Sequence, residues 1–209
     1  MDTLRTYAKY KSISTPIGHH IFRYDTEFQS VNGPGEVLGL IVMMNPGEAR
    51  PDSELQFQKL CSTEHTIDEL ELTKPDKTMS KAIRLIKTAF EINNIPLPEQ
   101  YTFHVENLFN LREKKSKKAI KLVNELMDYK DVLFKTRELN DEYQFVLTAW
   151  GNVKINLEKQ KIMNKYRNHF KVSKFNFRKS VYYSDYPVHV LYMNTDYFIE
   201  AAKDKINRK

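Results

Sequence analysis

Residues 37–44 form an unbroken run of eight residues, Val-Leu-Gly-Leu-Ile-Val-Met-Met, held between Asn32-Gly33-Pro34-Gly35 and Asn45-Pro46-Gly47. A run this short, bracketed by turn residues and rich in aliphatics, predicts a strand buried on both faces rather than a helix. Such a strand needs helices above and below it, so the remaining periodicity decides the fold.

Helical spacing follows at Met79, Ile83, Ile86 and Phe90, with Asp76 or Thr78 as the cap and Asn93-Asn94-Ile95-Pro96 as the stop. Residues 101–108 read as a second strand. A helix opened by Lys114, Lys115, Lys117, Lys118 and Lys121 comes next, with Ile120, Val123, Leu126 and Met127 on its apolar face. Residues 143–149 read as a third strand, halted by Trp150-Gly151-Asn152, and residues 152–170 as a helix. Residues 181–183 and 188–193 are further strand candidates, and 196–206 a closing helix. Residues 7–28 are mixed and polar, an irregular lead-in or an edge hairpin. Strands alternating with helices predict an α/β fold, a mostly parallel central sheet covered on both faces. Ligands in such sheets gather at the carboxyl ends of strands. That rule selects Asn45-Pro46-Gly47, Asn107 and Trp150-Gly151-Asn152.

The 209 residues suit one domain, and an apolar fraction of 41% argues against disorder. The longest apolar run is far too short to span a membrane, and residues 1–10 lack the apolar core of a signal peptide, so a cytoplasmic location is expected. Cys61 is the sole cysteine, which excludes an internal disulfide and a cysteine-based zinc cluster. There is no G-x-G-x-x-G, no G-x-x-x-x-G-K-[ST] and no H-E-x-x-H. His104-Val105-Glu106 has the spacing of a zinc deaminase but lacks its P-C-x-x-C partner. No metal or cofactor is expected.

The net charge of +6 is local. Between Glu158 and Asp185 there is no acid, and the interval holds eight of the 33 Lys and Arg residues, including Lys171, Lys174, Arg178 and Lys179. The other 25 face 27 acids. Tyr166, Phe170, Phe175, Phe177, Tyr182 and Tyr183 are interleaved with these cations. The pattern suits either a nucleic-acid backbone with stacked bases or a solvated helix followed by strands whose aromatics are core. Residues 48–71, by contrast, carry seven acids against Arg50 and Lys59.

Residues 40–49, Leu-Ile-Val-Met-Met-Asn-Pro-Gly-Glu-Ala, resemble the first motif of the uracil-DNA glycosylase-like superfamily, its mismatch-specific branch in particular. They resemble more closely an uncharacterised bacterial family whose strand ends in Met-Leu-Asn-Pro-Ser. Four further stretches resemble that family in order: Asp76-Lys77-Thr78, Asn107-Leu108-Phe109-Asn110-Leu111-Arg112, Ala149-Trp150-Gly151, and Pro187-Val188-His189-Val190-Leu191-Tyr192. The blocks run from residue 40 to 192, and residues 50–73 look like an insertion into a single domain of residues 1–209.

The resemblance implies a three-layer α/β/α fold and excision of a damaged or modified base from DNA. Asn45 falls where the attacking water is positioned, and His189 where a hydrogen bond is donated to the departing base. Asn107 sits where the base edge is read. Phe57 is the nearest aromatic for stacking on the base, with Trp150 a second pocket candidate. Arg112, Lys171, Lys174, Arg178 and Lys179 would meet the backbone. Two departures stand out: the most active glycosylases have Asp where this chain has Asn45, and His189-Val190-Leu191 lacks the usual Pro-Ser after His. An amide is no general base, so the alternative is a module that binds DNA or a nucleotide in the same pocket without cutting. Residue by residue, Asn45-Pro46-Gly47 is also a plain tight turn, and Asn107 a loop residue satisfying backbone groups. Trp150 and His189 also read as core, and Arg112 as the partner of Glu106.

Overall fold

The structure, a computed structural model, describes residues 4–138, 143–151 and 189–206. In chain order its strands are β1 (Arg5–Thr15), β2 (Gly18–Gln29), β3 (Glu36–Met43), β4 (Arg50–Pro51), β5 (His65–Lys74), β6 (Tyr101–Asn107) and β7 (Phe145–Thr148). Its helices are α1 (Glu54–Ser62), α2 (Lys77–Ile92), α3 (Ser116–Glu125), the single turn α4 (Lys130–Leu133) and α5 (Thr195–Ile206).

β3 is the doubly buried strand expected from its composition. Leu38, Ile41 and Met43 belong to one apolar cluster, and Leu40, Val42 and the following Met44 to another. α2 covers the first face with Met79, Ala82, Ile83, Ile86, Ala89 and Phe90, joined by Phe198 and Ala202 of α5. Burying one such aromatic is worth roughly 2–3 kcal/mol, which is why this stripe fixes the helix more firmly than propensity does. α3 covers the second face through Ala119 and Val123.

The mostly parallel sheet expected from the alternation does not form. The seven strands run in the order β4-β5-β1-β2-β6-β3-β7. Only β6–β3 and β3–β7 are parallel, and the other described pairs are antiparallel. Two segments cause the difference. Of the two alternatives for residues 7–28 the hairpin forms, but inside the sheet and not at its edge: β1 and β2 are closed by a two-residue turn between Thr15 and Gly18, a connection that permits only antiparallel pairing. Residues 50–74 then add β4, α1 and β5 at the outer side of β1.

Asp25, at φ 48°, is an extra residue in β2 where the register slips opposite Tyr7 and Lys9. This bulge moves the strand's inward face from one side of the sheet to the other, so Phe22 packs in the α3-side cluster and Phe28 in the α2-side cluster.

The strand expected at 188–193 is instead a single 3₁₀ turn over Val190–Tyr192, with Leu191 and Tyr192 exposed. The helix expected at 152–170 and the strand at 181–183 lie outside the described residues. Among those described, no helix is long and apolar enough to cross a membrane.

Candidate functional site

Three loops leave the carboxyl ends of β3, β6 and β7, and hydrogen bonds lock them together. The amides of Leu108 and Phe109 donate to the carbonyls of Met43 and Met44 at 3.0 and 3.3 Å, and Ala149 N donates to Val42 O at 2.7 Å. The strand-end rule therefore brings its three selected places to one edge of the molecule.

The loop after β3 turns at Gly47, whose φ of +64° disfavours any side chain. Space forbids one as well, because a Cβ there would overlap the Asp76 carboxylate. Asp76 caps α2, its Oδ1 accepting from Met79 N at 2.9 Å, while its Oδ2 accepts from Glu48 N at 3.2 Å. One carboxylate thus starts the helix and holds the Asn-Pro-Gly loop.

Asn45 donates from Nδ2 to the Glu113 carbonyl at 2.8 Å. That bond sets the amide orientation and leaves Oδ1 as the acceptor able to orient a water. Arg112 pins the same loop from the other side, donating from Nε to Ala49 O at 2.9 Å and from Nη2 to Glu48 O at 2.8 Å. It does not pair with Glu106, which Arg137 takes at 2.6 Å. Burial holds the Arg112 guanidinium below its ordinary value.

Asn107 ends β6 on the same sheet face as Phe103 and Val105, the face covered by α2. Its side chain is buried, and its Oδ1 has no hydrogen-bond partner among the described residues. A buried amide oxygen left without a donor costs about 1–3 kcal/mol, so it is an unusual thing to retain. Asn110 differs: its Nδ2 donates to Val132 O at 3.0 Å and Lys135 O at 2.7 Å, a loop brace rather than a site group.

His189 stands beside Gly151. The glycine has φ +76°, and a Cβ there would lie 3.0 Å from the His189 Cβ. Leu191 N donates to His189 Nδ1 at 3.3 Å, so Nδ1 is the acceptor and the proton resides on Nε2. Burial lowers the imidazole pKa below its ordinary value, and the Asp76 carboxylate pulls it back only in part. The ring is held as a neutral donor. Its segment is tied to α2 by Lys81, whose Nζ donates to Leu191 O and Met193 O, each at 2.9 Å. Gly151→Ala is expected to cost about 1–2 kcal/mol from the left-handed backbone alone and to displace His189, which urea unfolding followed by Trp150 emission will measure.

The two aromatic candidates are placed differently. Trp150 is buried in the α3-side cluster, with its Nε1 unpartnered among the described residues. Phe57, on α1, lies under two guanidinium groups, Arg50 at 4.7 Å and Arg112 at 5.1 Å from its ring centroid. A base stacking on that ring would have to displace one of them. Lys171, Lys174, Arg178 and Lys179 lie outside the described residues.

Asp76, Gly151 and His189 therefore meet at the start of α2, with Asn107 on the same face of the sheet, while Asn45 lies two residues before the Gly47 that Asp76 holds and turns its amide to the Glu113 carbonyl. Asp76 caps α2, as one of the two expected caps, but its second role and the anchoring by Lys81 were not legible in the sequence. No group of three or more His, Cys, Asp or Glu suited to a metal ion occurs among the described residues. Compared with known protein families, with curated proteins and with solved structures, the chain matches none.

Proposed function

We propose that these strand-end loops receive an extruded nucleobase and that the protein is a DNA glycosylase-like hydrolase excising a damaged or modified base. The observation that carries the reading is His189, a neutral imidazole whose Nδ1 is occupied by Leu191 N–H and whose Nε2–H is the donor. A fixed donor in a partly buried site stabilises negative charge as it develops on a leaving base. The N-glycosidic bond breaks as the sugar gains oxocarbenium character, and its electron pair stays with the base. Water oriented by Asn45 Oδ1 adds to the sugar carbon, and the proton it loses ends on the departed base. Asn107 Oδ1 accepts from an N–H on the base edge, which pays for its otherwise unpartnered burial. The lone, exposed Cys61 fits a reducing compartment such as the cytoplasm.

Duplexes bearing uracil, mismatched thymine, hypoxanthine or modified cytosines, incubated with protein and then treated with alkali, test the activity. His189→Ala is expected to slow excision by about 10²–10³-fold. The pH profile follows from the lowered pKa. Below its ordinary value the folded ring stays neutral. As pH falls through the folded pKa, Nδ1 gains a proton that faces Leu191 N–H, donor against donor. Excision is expected to hold at pH 7 and to fall on an acid limb lying below about 6.5, with the stability contributed by the neutral ring lost over the same window. An acid limb unchanged in His189→Gln would sink the assignment.

A second reading, binding without cutting, is favoured by the carboxylate arrangement. Both Asp76 oxygens accept backbone N–H bonds, and Asn45 is an amide, so neither acts as a general base. Salt-dependent oligonucleotide binding with no abasic product from any duplex would select it.

A further inference from the structure

Arg23 is the least expected side chain in the protein. It is 0% exposed, yet no carboxylate bonds it among the described residues. Nη1 donates to the Met79 sulfur at 2.9 Å, while Nε and Nη2 have no partner among the described residues. Tyr10 lies opposite it in the hairpin register. Its phenol, pushed up to about 12 by burial, is neutral and hydrogen-bonded to Thr73 at 2.8 Å, so it supplies no counter-charge. The Asp76 carboxylate is in the field of Arg23, but backbone amides occupy both of its oxygens. A buried guanidinium with free N–H groups is costly unless an anion completes it.

Arg23 sits under the first turn of α2, against Met79. On the outer side of that turn lies an open cleft of ≈ 430 Å³ lined by Arg50, Phe57, Lys74, Asp76, Lys77 and Arg112. Lys77 makes no ion pair among the described residues. Lys74 reaches the Asp52 carboxylate and its carbonyl, both at an exposed 3.4 Å, a pair that is cheaply exchanged. Arg50 is kept over the cleft by Phe57 and by Glu54 at 2.7 Å. Four cations thus meet the two acids Glu48 and Asp76, which already bond Lys114 and the backbone. Near Asp76 and Arg112 lies a fifth, Arg23, with no bonded counter-ion among the described residues.

We propose that this cleft is a phosphate-binding site, with Lys74, Lys77 and Arg50 as contacts and Arg23 as a buried positioning charge. The ligand is the phosphate group of a nucleic-acid backbone or of a free nucleotide. The proposal rests on the nucleobase reading for that source: Asp76 belongs to both the cleft and the His189 site, so a phosphate here lies one loop away from the base. It also gives the acidic insertion at 50–73 a role, because Arg50 and Phe57 come from it.

Calorimetric titration with inorganic phosphate and with a short undamaged single strand tests the site over a salt series. Both probes are expected to bind wild type if a free phosphate suffices, and only the strand if a backbone is required; either supports the site. For the strand, the K74Q/K77Q double variant is expected to flatten the log–log salt slope by about 1.5, two phosphate contacts' worth. Arg23→Met is expected to weaken binding about fivefold with the slope unchanged, and to melt at or above the wild-type temperature because an unpaired buried charge has been replaced by a similar apolar volume. Wild type binding neither probe, an unchanged slope in K74Q/K77Q, or wild-type affinity in Arg23→Met would overturn the proposal. The undamaged strand separates the two readings. Absent excision with these effects intact removes the enzyme and keeps the site, whereas excision at unaltered kcat/KM in K74Q/K77Q removes the site and keeps the enzyme.

Discussion

Arg137→Ala is expected to destabilise the protein by about 3–5 kcal/mol, the cost of leaving a buried charge without its partner. Glu106 lies on β6 and is 3% exposed. Arg137 donates to it from Nε at 2.6 Å, to Glu27 from Nη1 at 3.4 Å and to Thr26 O from Nη2 at 3.2 Å. Those three bonds clamp the segment after α4 onto β2 and β6. Burial raises the Glu106 pKa above its ordinary value even with Arg137 pulling it down. A carboxyl whose folded pKa is raised binds more protons folded than unfolded. Its contribution to stability therefore declines as pH rises from about 4.5 through the folded value. Without Arg137 the folded value climbs further, so the deficit of the variant is expected to be larger at pH 8 than at pH 5. Urea unfolding followed by the sole tryptophan, Trp150, measures both. A loss below about 1 kcal/mol that does not vary with pH would show that the clamp contributes little.

Asp76→Ala is expected to cost about 3 kcal/mol and to slacken the candidate site. The variant removes the cap on Met79 N, worth about 1 kcal/mol, and strands the Glu48 amide, worth about 1–3 kcal/mol. A carboxylate acting on the Arg23 charge goes with it. Asp76→Asn keeps one acceptor and is expected to lose about 1 kcal/mol. Gly47→Ala attacks the same contact from the other side, so its effect and that of Asp76→Ala are expected to fall short of additivity. Hydrogen exchange at Glu48 N–H reports the loop itself. An Asp76→Ala protein as stable as wild type, with that amide equally protected, would contradict the account of how the Asn-Pro-Gly loop is held.

Why some of this was legible and some not follows from what each segment buries. β3 is covered on both faces and so wrote a continuous apolar run; α2 is covered on one and wrote a helical stripe. The β1–β2 hairpin wrote neither. The buried face of β1 is Thr6, Ala8, Tyr10 and Ser12, small or polar, while the opposite face carries Lys9, Lys11 and Ile13 half-buried. The bulge at Asp25 then breaks the alternation in β2. With those two strands taken as an irregular lead-in or an edge hairpin, the remaining alternation pointed to a parallel sheet. Ser53 caps α1, its side chain accepting from Gln56 N. Val190-Leu191-Tyr192 imitates a strand in composition, but Lys81 on α2 takes carbonyls that a sheet would need. Asn45, Asn107 and His189 were named as candidates from strand ends and the resembled motifs. Arg23 was missed because its charge suggested a surface, and its burial leaves no local pattern.

The state of the His189 ring tests the central claim most directly. Nitrogen-15 NMR of histidine-labelled protein at pH 7 distinguishes the two neutral tautomers, and titration with duplexes bearing the candidate bases reports contact. The account predicts a neutral ring protonated at Nε2, with that N–H shifting downfield when a recognised duplex is added. A ring protonated at Nδ1, or an Nε2–H indifferent to every duplex that the protein binds, would contradict it.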